Sequence, residues 1–152
     1  MKNILFVCTG NSCRSILAEA YLKKRIEEKE LALEVRSAGT LGIEGVEPAE
    51  NTRTALGEEG IDSETYKSSA LTRELIDWAD IILGMEPMHK EWVLSQVPEA
   101  AEKVFLLGEF NSGTKDPSIP DPIGRPLAFY KITFELIKRS VEGFLLWLER
   151  SR

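Results

Sequence analysis

Residues 3–15 read NILFVCTGNSCRS, an apolar strand-like segment that passes through a short loop into a helical pattern. Cys8 and Arg14 lie at the two ends of that loop. Loop N–H groups and the positive end of a helix dipole favour a thiolate over a thiol at Cys8. The same N–H groups bind a phosphate, and a planar guanidinium can hold two of its oxygens. The segment therefore predicts phosphoryl transfer to a cysteine.

Length and composition predict one domain over residues 1–152, with 43% hydrophobic and 29% charged residues. A net charge of −6 argues against nucleic-acid and anionic-membrane partners. No apolar run approaches the roughly 20 residues of a membrane helix, and the N-terminus enters a strand with no signal peptide. We therefore expect a cytoplasmic protein. With two cysteines and one histidine, a closed zinc site is not expected, and we predict neither metal nor cofactor.

Short apolar runs alternate with amphipathic stretches, a pattern typical of βαβ units. The predicted fold is α/β, a doubly wound sheet of four parallel strands flanked by helices, with the ligand site at the strand C-termini. Strands are predicted over residues 3–7, 33–37, 80–84 and 103–107, and helices from residue 15 and over 48–59, 71–78, 87–96 and 130–148.

The extended pattern V-C-x-G-N-x-C-R-S after an N-terminal strand resembles the phosphate-binding loop of low-molecular-weight protein tyrosine phosphatases. Related bacterial protein-arginine phosphatases and arsenate reductases share it, and further similarity at residues 36–39, near Asp80 and at Asp121-Pro122 extends the match over nearly the whole chain. The resemblance implies a phosphoprotein phosphatase that forms a cysteinyl-phosphate on Cys8, with Arg14 on the phosphoryl oxygens. The phosphate-binding residues implied are Thr9, Gly10, Asn11, Ser12, Cys13 and Ser15.

Individual loop residues carry separate expectations. Gly10 and Asn11 suit positive φ, which a loop adopts if successive N–H groups are to converge on an anion. Ser15 would donate a hydrogen bond to the Cys8 thiolate. Cys13 is either a partner that traps oxidised Cys8 as a disulfide or a small packing residue, and both alternatives stay open.

A leaving group needs a proton, and the proline-rich stretch 109–126 offers two Asp-Pro pairs. Asp121, which lies nine residues before Tyr130, fits the family arrangement of the acid better than Asp116 does. The single histidine, His89, is predicted to be a surface residue away from the site.

Three functions compete. An arsenate reductase would need two further cysteines after the third strand, and residues 84–104 contain none. A non-catalytic phosphate-binding module would leave Cys8, Arg14 and Asp121 together by coincidence. A protein phosphatase is therefore predicted, acting as a monomer on a phosphorylated protein and binding phosphate or vanadate.

The substrate is the open point. Phosphotyrosine is the family default and stays slightly ahead. Ser12 and the Asp121-Pro122-Ile123-Gly124 turn are closer to the protein-arginine phosphatases, in which the aspartate would hold a guanidinium by a charged hydrogen bond.

Overall fold

The computed structural model describes residues 1–151 and contains a sheet of four parallel strands in the order β2-β1-β3-β4. The predicted fold class is confirmed. The strands are β1 (Lys2–Cys8), β2 (Leu33–Gly39), β3 (Ile81–Gly84) and β4 (Val104–Leu106).

Helices cover both faces of the sheet because successive residues of the central strand point to opposite sides. Ile4 and Phe6 of β1 pack with the first, second and fifth helices, whereas Leu5 and Val7 pack with the third and fourth. The five helices are α1 (Arg14–Lys29), α2 (Glu50–Gly57), α3 (Arg73–Trp78), α4 (Pro87–Gln96) and α5 (Leu127–Arg150), and short 3₁₀ turns cover Pro98–Lys103 and Leu107–Phe110.

The position of β1 decides where the functional site lies. β1 has β2 on one side and β3 on the other, so that Cys8 pairs with Gly39 and Val7 pairs with Gly84. The C-terminal ends of three strands therefore meet around the loop that follows Cys8. This is the crevice at which doubly wound sheets bind ligands.

α2 differs from its predicted bounds of 48–59. It begins at Glu50, because Ala49 has an extended backbone (φ −55°, ψ 146°) and its N–H donates to the Ser12 carbonyl at 3.1 Å. A contact with a distant loop thus fixes the start of this helix.

The proline-rich stretch 109–126 is predicted to contain neither helix nor strand, and this holds for residues 111–126, whereas residues 109 and 110 belong to the 3₁₀ turn Leu107–Phe110. Ile119 is fully buried in the middle of this stretch, and its N–H donates to the carbonyl of Met85 at 2.8 Å, which fixes the stretch beside the end of β3. None of the helices within residues 1–151 combines the length and apolar character that crossing a bilayer requires.

Candidate active site

The loop from Cys8 to Arg14, called here the Cys8–Arg14 loop, joins the end of β1 to the start of α1. Cys8 is 3% exposed and Arg14 is 2% exposed, so both side chains lie inside the molecule. A buried guanidinium needs compensating acceptors, because an unpaired buried charge is strongly destabilising.

Asn11 holds the loop in its conformation. Its φ is +53°, as predicted, and its buried side chain makes three hydrogen bonds. The Oδ1 atom accepts from the Ser69 N–H at 2.8 Å, and Nδ2 donates to Ser15 Oγ at 2.7 Å and to Ser37 Oγ at 2.9 Å. The same expectation for Gly10 is wrong: its φ is not positive, because a single left-handed residue completes the turn.

Two donors surround the Cys8 sulfur. Ser15 Oγ lies 2.9 Å from Sγ, and the Asn11 N–H donates to Sγ at 3.3 Å. Ser15 Oγ also accepts a hydrogen bond from Asn11 Nδ2, and its own proton is available for donation to a sulfur that carries no proton. Two donors at these distances would stabilise a thiolate at this position.

Three of the loop carbonyls are bonded to the residues that follow β2. The N–H of Thr40 donates to the carbonyl of Cys8 at 3.0 Å, and the N–H of Leu41 donates to that of Thr9 at 3.0 Å. The carbonyl of Ser12 accepts from Ala49 and from the Thr52 hydroxyl.

By contrast, the backbone N–H groups of Thr9, Gly10, Ser12 and Cys13 have no acceptor within residues 1–151. Unpaired N–H groups on neighbouring loop residues can form an anion-binding nest.

Arg14 is held by three oxygen-bearing partners. Nη1 donates to the Glu86 carboxylate and to the carbonyl of Ile119, the latter at 2.8 Å. Nη2 lies 3.6 Å from Oδ2 of Asp121. The guanidinium is thus oriented by groups that follow β3 and by the proline-rich stretch.

Asp121, and not Asp116, lies beside this guanidinium. Asp121 is 38% exposed, and its Oδ1 accepts from the Ile123 N–H at 3.1 Å, which leaves Oδ2 toward Arg14. The carboxylate of Asp116 instead accepts from the Ser118 N–H at 2.9 Å within its own turn. The placement supports the choice of Asp121 over Asp116 as the predicted acid.

His89 is not a surface residue, and that prediction is wrong. The imidazole is 1% exposed, and Nε2 lies 2.9 Å from Thr9 Oγ1. Burial, together with the charge of Arg14, lowers the pKa of His89 to about 4. The reason is topological: β3 neighbours β1, so the first turn of α4 packs beside the Cys8–Arg14 loop.

Sequence reasoning also missed Glu86. Two signals were available for Glu86 and His89. A parallel β3 beside β1 brings the residues that follow the two strands together. In addition, Glu86 and His89 form a capping box at the start of α4, a pattern that Glu-Pro-x-His permits when Pro87 occupies the first helical position.

Cys13 is 3% exposed, and its Sγ lies 3.7 Å from the hydroxyl of Tyr130. Burial and this contact raise the pKa of Tyr130 to about 12. Cys8 and Cys13 are both free thiols. The contact shows that Cys13 packs against α5, and a redox role for it stays a prediction.

The sequence of this chain is similar to those of known phosphatases. Residues 3–152 match the model of the low molecular weight phosphotyrosine protein phosphatase family. A protein-arginine-phosphatase of Geobacillus stearothermophilus is 45% identical over 129 residues, which cover 84% of this chain and 83% of the relative. A low molecular weight protein-tyrosine-phosphatase of Acinetobacter johnsonii is 35% identical over 140 residues, covering 92% of this chain and 93% of the relative.

Solved structures of phosphatases are also similar to this chain. The arginine phosphatase from Geobacillus stearothermophilus superimposes with a TM-score of 0.88 at 38% identity, and the match covers 99% of this chain and 95% of that one.

Proposed function

Because the chain belongs to the low molecular weight phosphotyrosine protein phosphatase family, whose members are cysteine-dependent phosphatases, we propose that it removes phosphate from phosphoarginine side chains of proteins. Family membership makes it a cysteine-dependent phosphatase. The substrate and the role of each residue are the proposal.

The proposed reaction has two steps. The Cys8 thiolate attacks phosphorus in line, the bond from phosphorus to the leaving nitrogen breaks, and that nitrogen keeps the electron pair and takes a proton from Asp121. Water then attacks the cysteinyl-phosphate and gives its proton to Asp121. The sulfur leaves as a thiolate, to which Ser15 donates a hydrogen bond.

The loop N–H groups and Arg14 would bind the phosphoryl oxygens in both steps. Their charge persists through the loose transition state, so fixed donors at these positions stabilise it. Arg14 is already oriented by Glu86 and Ile119 in the free protein, and little reorganisation is needed on binding.

The observation that favours phosphoarginine over phosphotyrosine is the Ser12 side chain. Its hydroxyl is half-buried and, within residues 1–151, has only the Cys13 sulfur at 3.6 Å as a partner. A guanidinium presents several N–H donors and needs acceptors, which Ser12 Oγ and the Asp121 carboxyl group can supply together. An aromatic ring would leave that hydroxyl without a partner, at a cost of about 1–3 kcal/mol.

Phosphotyrosine is the second candidate, and the sequence alone placed it slightly ahead. The description of the family and the Acinetobacter johnsonii relative both favour it. Against it, the turn after Asp121 offers no aromatic wall: Ile123 is 57% exposed, and Gly124 follows. The next aromatic residue along the chain is Phe129, which is 46% exposed, and its ring is in contact with the Arg125 guanidinium, 5.3 Å from the ring centroid. The relatives named protein-arginine-phosphatase support ranking phosphoarginine ahead of phosphotyrosine in this proposal.

The test compares Ser12→Val with Ser12→Thr, two side chains of equal shape that differ by one hydroxyl. With phosphoarginine and phosphotyrosine peptides of one sequence, Ser12→Val should lower kcat/KM for phosphoarginine about 5- to 150-fold relative to Ser12→Thr. Hydrolysis of the phosphotyrosine peptide should be equal or faster in Ser12→Val. Equal phosphoarginine rates in the two variants would contradict the proposed recognition.

A further inference from the structure

The imidazole of His89 uses both ring nitrogens. Nδ1 accepts the backbone N–H of Glu86 at 3.0 Å, and Nε2 lies 2.9 Å from Thr9 Oγ1. Because Nδ1 accepts, it carries no proton. The ring proton is therefore on Nε2 and is donated to the Thr9 hydroxyl.

These two hydrogen bonds connect Thr9, at one end of the Cys8–Arg14 loop, with Glu86, which pairs with Arg14 at the other end. Thr9 follows the nucleophile directly, and Glu86 is the carboxylate that pairs with Arg14. Thr9 and His89 are 80 residues apart in the chain, so this contact exists only in the folded protein. Displacing the ring would move Thr9 relative to the group that orients the guanidinium.

We propose that His89 is a positioning residue for phosphoryl transfer: its neutral imidazole holds Thr9 at the first turn of α4 and so fixes Cys8 relative to the Arg14–Glu86 pair. The inference rests on the proposed chemistry at the Cys8–Arg14 loop. It does not depend on whether phosphoarginine or phosphotyrosine is the substrate.

Only the neutral ring can make both bonds. A second proton would have to sit on Nδ1, which faces the Glu86 N–H, so two donors would oppose each other. The charged groups around the ring are Arg14 of α1, Glu86 at the start of α4 and Asp121 of the proline-rich stretch. Burial and Arg14 oppose protonation, Glu86 and Asp121 favour it, and the pKa of about 4 keeps the ring neutral at pH 7.

Two matched variants separate the bonds. In His89→Asn the amide oxygen takes the place of Nδ1 and keeps the acceptor for Glu86, but the side chain is too short for Thr9. In His89→Gln the amide nitrogen takes the place of Nε2 and reaches Thr9, but Glu86 loses its acceptor. Each variant gives up one hydrogen bond, so a purely structural role predicts similar losses of activity in the two.

With p-nitrophenyl phosphate at pH 7, His89→Asn should lower kcat about tenfold or more with KM little changed, because displaced catalytic groups cost rate. His89→Gln should restore kcat to within about threefold of the unmodified protein. Thr9→Val should reproduce the loss, and His89→Asn with Thr9→Val should lose no more than either alone. Equal kcat in the Asn and Gln variants, or additive losses in the double variant, would overturn the proposal.

NMR spectroscopy can detect the hydrogen bond between His89 and Thr9 independently of catalytic activity. His89 is the single histidine of the chain, so its ring signals in a long-range ¹H–¹⁵N NMR spectrum of the untagged protein are unambiguous. We expect the Nε2–H tautomer, a midpoint well below 6.5, and a changed Nε2 signal in Thr9→Val. A ring protonated on Nδ1, or one that titrates near 6.5, would overturn the inference even in an active enzyme. An inactive protein with the expected spectrum would instead count against the proposed function.

Discussion

Gly39 is the position at which a single methyl group tests the rigidity of the Cys8–Arg14 loop. It ends β2 opposite Cys8, its N–H donates to the carbonyl of Ser69 at 2.9 Å, and its carbonyl accepts from the Leu71 N–H at 3.0 Å. A Cβ atom added there would lie 2.7 Å from the Thr9 carbonyl oxygen and 2.9 Å from the Asn11 nitrogen. Both are backbone atoms of the loop.

The size of the effect follows from what those atoms are bonded to. The Thr9 carbonyl accepts from the Leu41 N–H, and the Asn11 N–H donates to the Cys8 sulfur. The loop can therefore move away from the added methyl group only by breaking such hydrogen bonds. Overpacking of this kind typically costs about 1–3 kcal/mol. We expect Gly39→Ala to lower the free energy of unfolding by about 2 kcal/mol. A tenfold or greater loss of affinity for inorganic phosphate should accompany it, because misplaced N–H donors bind the anion poorly.

Urea unfolding and calorimetric titration with phosphate measure the two effects. Gly57→Ala is the matched control, because Gly57 lies in α2 and a Cβ there meets nothing within 4 Å. That variant should be neutral or more stable by up to about 1 kcal/mol. If Gly39→Ala keeps the stability and the phosphate affinity of the unmodified protein, the loop is not held as the structure indicates.

Three further predictions concern the proposed chemistry and pH. Cys8→Ser should abolish turnover while vanadate still binds, and appreciable hydrolysis in that variant would rule out the covalent mechanism. Asp121→Asn should slow poor leaving groups more than good ones in a series of aryl phosphates, whereas the same pattern in Asp116→Asn instead would identify a different acid. Since the folded-state pKa of His89 is lowered to about 4, the unfolded chain takes up its proton first as pH falls below about 6.5. The stability from this group is lost between pH 6.5 and 4, about 2 kcal/mol of it by pH 5, and urea unfolding of His89→Asn at pH 7 and 5 should lack that loss.

The sequence was sufficient wherever the determinants are local. The first strand, the Cys8–Arg14 loop and α1 follow one another within residues 2–29. In α5, large apolar residues recur every three or four positions from Tyr130 to Leu148, which identifies a helix packed on the sheet. Alternation of strands and helices then fixes a parallel sheet, and with it the position of Cys8 at a strand end.

Contacts between distant segments were harder to predict. His89 and Glu86 reach the loop only because β3 lies beside β1, and a single histidine next to Lys90 gave no sign of burial. The conformation of Gly10 depends on how the loop closes as a whole, and Asn11 alone supplies the left-handed residue. The start of α2 is set by a hydrogen bond to Ser12, which no local pattern encodes.

The most direct test of the proposed phosphoarginine phosphatase activity is the steady-state kcat/KM for two peptides of one sequence, carrying either phosphoarginine or phosphotyrosine, with Cys8→Ser as the control. We expect the phosphoarginine peptide to be hydrolysed about tenfold or more faster than the phosphotyrosine peptide, with both activities absent in the control. A preference of that size for phosphotyrosine would contradict the assignment of Ser12 and Asp121 to guanidinium recognition.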